Sequence, residues 1–346
     1  MARKRKDKIL PDVRKGSIKV MNIGLIDVDG GRKFPNIPLM KLSAWHKAHG
    51  DSVEWYQPMV SGHMDIVYMS KVFSFSKDYE YPINADKIIR GGSGYCIELE
   101  DGKERYCAER DKALPDEVEH IYPDYSIYPE LTKDTAFGFL TRGCPRKCNF
   151  CHVKDKPADG PRAHKVADLS EFWNGQKNLV LCDPNILACK DHLELLEQVA
   201  ASRARVNFNQ GLDVRLMNEK NLEVLKRIRL KSVHLAFDRY QDWNLVTRKL
   251  TEFKIATGLE RHKVSVYILV NFDSDLSQDL KRIYFVKSLQ LQPYVMIYDK
   301  EHAPDIIRKL QRWSNSPPLC WSVQRFEEYT RLTEAERAEV EKLHLE

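Results

Sequence analysis

Six short apolar runs recur through the second half of the chain, at residues 135–141, 178–182, 204–209, 232–238, 264–270 and 294–298, separated by segments long enough for crossover helices. Parallel neighbours in a sheet need such long connections, so this repetition predicts a parallel sheet covered by helices. Six strand-helix units fall short of the eight that close a barrel, which predicts a partial (β/α)6 barrel of the TIM type with one side open. One crossover helix is expected at 218–229, where Asn218 caps the first turn and Leu222, Leu225 and Ile228 form one apolar face. Others are expected at 242–256 and 277–289. In the last, Leu280, Ile283 and Tyr284 face the sheet while Lys281, Arg282 and Lys287 face water. Helical segments at 304–313, 324–331 and 333–345 finish the chain.

The 346 residues exceed one ordinary core, since domains run to roughly 150 residues. The first half carries a strand at 18–26, a Gly-rich turn at 27–31, and a helix marked by Pro38, Leu39, Leu42, Trp45 and a closing Gly50. Strands follow at 52–56, 65–70 and 87–89, the last running into Arg90-Gly91-Gly92-Ser93-Gly94. Strands alternating with helix predict a Rossmann-like open α/β sheet. Residues 95–134 break the pattern, with Asp101-Gly102 inside a hairpin and Pro115, Pro123 and Pro129 punctuating a connection. The expected layout is a basic leader (1–17), an α/β domain (18–94), a connection (95–134), the partial barrel (135–303) and a C-terminal helical segment (304–346).

Hydrophobic residues make up 42% and charged residues 30%, a balance that excludes a disordered chain or a collagen-like fibre. No apolar run approaches the about 18 residues that span a bilayer, so a cytoplasmic protein without membrane contact is expected. The excess of 55 basic over 50 acidic residues is too small to indicate nucleic acid by itself. Arg3, Lys4, Arg5, Lys6 and Lys8 read as a solvated tail in preference to a polyanion-binding arm. Three of the eight cysteines fall within eight residues and no export signal precedes them, which favours metal over disulfides. Cys96, Cys107, Cys182, Cys189 and Cys320 read as ordinary buried thiols.

The crowded cysteines lie in Thr141-Arg142-Gly143-Cys144-Pro145-Arg146-Lys147-Cys148-Asn149-Phe150-Cys151-His152, directly after the first of the six strands. Iron-sulfur clusters usually take four thiolates, so three leave one iron open to another ligand. Zinc on Cys144, Cys148, Cys151 and His152 is the competing reading, but neighbours 151 and 152 can hardly both reach one tetrahedral ion. With three and then two residues between the cysteines and the aromatic Phe150 before the last, the stretch resembles the radical S-adenosylmethionine superfamily. The resemblance of the barrel covers residues 135–303. It implies a 4Fe-4S cluster on Cys144, Cys148 and Cys151, S-adenosylmethionine on its open iron beside Phe150, a 5′-deoxyadenosyl radical, and a reduced flavodoxin or ferredoxin as electron donor. It also implies that Asp183 and Asn185, after the second strand, accept from the methionyl amino group, although the usual Gly-Gly-Glu form is absent; helix capping is the alternative for Asn185. Gln210, Asp213 and Arg215, after the third strand, match the segment near the cofactor's ribose and carboxylate; a structural Asp213–Arg215 ion pair is the alternative. Asp238-Arg239 poses the same choice, and Asn271 either faces adenine or caps a turn.

The first domain is similar to the cobalamin-binding domain of one branch of that superfamily. Its Asp-x-His-x-x-Gly signature is absent, because Asp29 and Arg32 stand at the critical places. His46 and His49 read as exposed helix residues. Cobalamin-dependent radical methyl transfer is therefore the alternative enzyme; a methylthiotransferase would need a second cysteine triad, and only Cys96 and Cys107 are near. From another class, an iron-sulfur electron carrier or a nucleic-acid-binding module would use the cluster structurally. Neither charge nor the side opening selects a substrate.

Overall fold

A computed structural model describes residues 9–10, 20–30, 34–100, 103–157 and 159–343. The leader lies largely outside them, as do Gly31, Arg32 and the Asp101-Gly102 hairpin tip. The chain is mixed α/β and divides into two compact units, Met1–Lys177 and Asn178–Glu346.

The first unit contains β1 (Asn22–Asp27), α1 (Ile37–Ala48), β2 (Ser52–Trp55), β3 (Met64–Ser70), β4 (Ala85–Gly91), β5 (Ile97–Glu100), β6 (Lys103–Tyr106), the short helices α2 (Asp116–Glu119) and α3 (Pro129–Thr132), β7 (Thr135–Gly138), β8 (Thr141–Arg142) and β9 (His164–Lys165). Its main sheet is parallel in the order β2-β1-β3-β4, while β5 and β6 make an antiparallel hairpin. Helix α1 starts where Asn36 accepts from the Leu39 N–H (3.2 Å) and donates to Ser70 Oγ (2.8 Å), so one side chain both caps the helix and ties it to β3. Leu39 and Leu42 then pack on Ile23, Leu25, Ile66 and Tyr68. Each such buried side chain contributes about 1.5–3 kcal/mol relative to exposure. The helix does not expose both its histidines, as its polar face predicted. His49 is exposed, but His46 is 0% exposed and is held between Asp51 Oδ2 (2.7 Å) and Tyr68 Oη (2.9 Å).

The second unit alternates strand and helix: β10 (Asn178–Leu181), α4 (His192–Ser202), β11 (Arg205–Leu212), α5 (Glu219–Arg227), β12 (Arg229–Ala236), α6 (Trp243–Thr257), β13 (Val264–Val270), α7 (Leu276–Ser288), β14 (Gln292–Ile297) and α8 (Asp305–Asn315), followed by α9 (Pro317–Ser322) and α10 (Glu334–Glu341). Within this unit the strands form a parallel sheet of order β14-β13-β12-β11-β10. Between β7 and β10 the described residues hold no crossover α-helix; the β8-β9 ribbon and 3-10 turns occupy that stretch. The expected helix at 324–331 is also absent: residues 317–322 form α9, and only Phe326–Glu328 make a 3-10 turn.

Two cations on α7 depart from the expected wet face. Arg282, at 0% exposure, donates to the carbonyls of Phe237 (2.8 Å), Asp238 (2.6 Å) and Leu269 (2.9 Å), to Ser274 Oγ (2.9 Å) and to Asp279 Oδ1 (2.5 Å). It thus fastens α7 to the carboxyl ends of β12 and β13. Lys287, 6% exposed, donates to the Cys320 and Gln324 carbonyls (2.6 and 2.7 Å) and lies over the Trp313 ring. Free carbonyls at strand and helix ends satisfy these charges where periodicity alone assigned them to water.

Candidate functional site

In the first unit, the cysteines sit on a loop closed at its base. Strands β8 and β9 pair Thr141 with Lys165 and Arg142 with His164. Gly143 follows with φ +81°, and a Cβ there would collide with the carbonyl oxygens of Asp159 and Arg162. Only glycine accepts both that backbone conformation and that close approach. The Cys144, Cys148 and Cys151 side chains are half-buried thiols, and Phe150 between the last two is half-buried as well. The Cys151 N–H and the Lys154 ammonium both donate to the Cys148 carbonyl (3.2 and 3.1 Å), which turns the loop back on itself. Burial pushes the Cys151 thiol up and the neighbouring Cys144 adds to this, while Lys156 and Lys154 pull it down. All eight cysteines are thiols, and the other five are buried as expected. His152 pairs instead with Glu104 (3.2 Å) and stacks on Tyr106, so the hairpin engages its ring.

Among the described residues, no three His, Cys, Asp or Glu side chains are gathered as for a single metal ion. A cubic cluster binds each thiolate at a different iron and spreads its ligands wider than one ion does. The donor set fits a cluster by its chemistry, three thiols carried on one anchored loop.

In the second unit, Asp183 and Asn185 follow β10 and are both buried. Asn185 Nδ2 reaches Asp213 Oδ2 at 3.5 Å, and its side chain makes no cap bond to the following 3-10 turn, so capping does not account for it. Asp213 accepts from the Arg215 N–H and Nε (3.2 and 2.7 Å), and Arg215 Nη1 donates to Asp242 (2.8 Å). The structure thus brings Asn185, Asp213 and Arg215 together with Asp242, which sequence reading had not selected. Burial opposes the Arg215 charge, but the two carboxylates outweigh it and hold its pKa above the ordinary value. Gln210 is exposed on a bulged part of β11, where Phe208 pairs with Val233 and Leu212 with Leu235. Gly211, at φ +91° and against the His234 carbonyl, permits that bulge. Asn271 has φ +62° and donates to the Tyr298 carbonyl (2.8 Å), which joins the carboxyl ends of β13 and β14 instead of capping a local turn.

Strand alternation buries Val206, Phe208, Val233, Leu235, Val266 and Ile268 on one face and puts Asn207, His234 and Tyr267 on the other. The His234 and Tyr267 rings stack at 4.9 Å and 8°. Asn207 Oδ1, His234 Nδ1 and Asp238 Oδ1 are buried without hydrogen bonds. Burial pushes His234 down and pushes Asp238 up to about 6, the latter against the opposing charges of Arg282 and Arg215. Native proteins rarely leave such atoms unmet, so this face is ready for polar partners. Asn207, His234 and Tyr267 were missed because single polar residues inside apolar strands carry no motif. Alternation within each strand was the available signal. Neither a known protein family nor a curated protein matches the chain.

Proposed function

We propose that the protein is a radical S-adenosylmethionine enzyme. In this reading the first unit holds a Rossmann-like module of the cobalamin-domain type, and residues 135–303 make a partial (β/α)6 barrel. The supporting observation is the anchored loop carrying Cys144, Cys148 and Cys151 with Phe150 before the last. Cys144, Cys148 and Cys151 would hold a 4Fe-4S cluster, which would pass one electron from a reduced flavodoxin or ferredoxin to S-adenosylmethionine for its cleavage to methionine and a 5′-deoxyadenosyl radical.

The three cysteines would hold that group as thiolates. Lys154 and Lys156 favour the thiolate at Cys151, opposing burial. Asp183 and Asn185 accept hydrogen bonds from the methionyl ammonium. Gln210 and Asp213 serve the ribose. Arg215, already held by two carboxylates, acts as a positioning residue that fixes Asp213. Asn207, His234 and Asp238 supply polar contacts to whatever lies against the sheet face.

Anaerobic reconstitution with iron and sulfide, followed by reduction and mass spectrometry with S-adenosylmethionine, tests the reading. Wild type should form 5′-deoxyadenosine, and Cys144→Ala, Cys148→Ala and Cys151→Ala should not. Protein that carries zinc alone, or iron that leaves S-adenosylmethionine intact, would overturn it; the second outcome would identify an electron carrier.

A further inference from the structure

The first unit encloses a cavity of about 470 Å3 at the carboxyl edge of β3 and β4, bordered by Met69, Ser70 and the Gly91–Ser93 turn. Open α/β sheets take their ligands at this edge, and the volume falls within the range of small-molecule pockets. One wall is apolar, formed by Leu39, Leu42 and Ile89. Another comes from the arms of the cysteine loop, through Arg142, Lys156 and Asp159.

The polar wall is incompletely satisfied. Arg142 donates to Glu119 (3.3 Å) and lies over the Phe139 ring, leaving Asp159 at 3.7 Å. Asp159 is only 4% exposed, yet its Oδ1 accepts no hydrogen bond. Leaving a buried carboxylate oxygen unmet is costly, and because Asp159 lines a cavity a ligand donor can meet it there. The Lys156 ammonium donates to Ser93 Oγ (3.3 Å), and among the described residues it forms no ion pair. The cavity therefore presents a carboxylate oxygen without a hydrogen-bond donor, a cation that attracts that carboxylate without closing an ion pair on it, and apolar side chains in the same lining.

We propose that this cavity binds a small zwitterion, an α-amino acid with a large apolar side chain. Its ammonium donates to Asp159, its carboxylate meets Lys156, and its side chain lies on Leu39, Leu42 and Ile89. That this ligand is the substrate rests on the radical reading above; that it binds does not.

Isothermal titration of the full chain with L-phenylalanine tests the site, with N-acetyl-L-phenylalanine, L-phenylalaninamide and hydroxocobalamin as comparators. L-phenylalanine should bind, and removal of either charge should weaken binding roughly tenfold or more, as expected for a lost charge-assisted hydrogen bond. Asp159→Asn should weaken the amino acid similarly and remove discrimination against the N-acetyl form. Lys156→Gln should remove discrimination against the amide. Should either variant misfold, the wild-type ranking of the three ligands decides alone. Absent binding at millimolar L-phenylalanine, equal binding of all three, or displacement of the amino acid by hydroxocobalamin would overturn the proposal. Because 5′-deoxyadenosine is measured without amino acid, failure here and failure of the radical reading are separate results.

Discussion

Asp159 in the first unit and Asp279 in the second are both buried carboxylates beside an arginine, and burial raises both pKa values. Asp279 Oδ1 receives Arg282 and Ser274 at 2.5 Å, and the same arginine goes on to three carbonyls. Asp159 Oδ1 receives no hydrogen bond, and its arginine stands at 3.7 Å. The first arrangement holds secondary structure together through Asp279 Oδ1 and the Arg282 Nη atoms, while Asp279 Oδ2 and Arg282 Nε are buried without hydrogen bonds. The second is open toward a cavity. A buried charge is thus structural where its hydrogen bonds join separate elements and ligand-directed where it lines a cavity, not according to burial itself.

The largest test of this contrast is Arg282→Met, which should lower unfolding free energy by about 3–5 kcal/mol in urea titration, because Asp279 and the strand-end carbonyls lose their cation together. A loss below about 1 kcal/mol would show that this network is not structural. Gly143→Ala should cost about 2–3 kcal/mol through positive φ and collision with the Asp159 and Arg162 carbonyls, and should lower reconstituted iron content. Unchanged iron would separate the loop's base from its sulfurs.

Asp238→Asn tests an intermediate case. With the folded pKa raised from 3.8 to about 6, the native state holds this proton more tightly than the unfolded chain does. The resulting stability is present below pH 3.8 and is lost as pH climbs to about 6. Asp238→Asn should therefore stabilise the protein by about 1–2 kcal/mol at pH 7 and flatten its stability between pH 4 and 6. A steeper profile in the variant would contradict the sign. Asp159→Asn should have the smallest effect on the protein without ligand, within about 1 kcal/mol by thermal denaturation, because no hydrogen bond to Oδ1 is lost. A loss resembling that of Arg282→Met would erase the difference between the two aspartates.

Much of the scaffold was legible in the sequence. The runs at 52–56, 65–70, 178–182 and 264–270 became β2, β3, β10 and β13, and Asn218 caps α5 through the Asn221 N–H as its position suggested. Apolar periodicity reports directly on which face of an element leaves water. The same reasoning misplaced His46, Arg282 and Lys287, since long or polar side chains follow their partners and those partners are remote in sequence: Tyr68, the Phe237 and Leu269 carbonyls, and the Cys320 carbonyl. In the candidate site, the cysteine spacing was legible because one loop carries it whole. The Asn185–Asp213–Arg215–Asp242 group was only partly legible because three separate connections contribute to it.

From the sequence alone came the alternation of strands and helices, the parallel sheets, and three thiols close enough along the chain to share one loop. These are local properties, set by residue spacing and by the burial of apolar side chains. Tertiary structure decided which charges close on the protein and which remain available, leaving Asp159 and Asn207 without hydrogen bonds to Oδ1 while encircling Arg282 with carbonyls. Hydrogen bonding acts over about 3 Å between groups tens of residues apart, so only the folded chain can settle it.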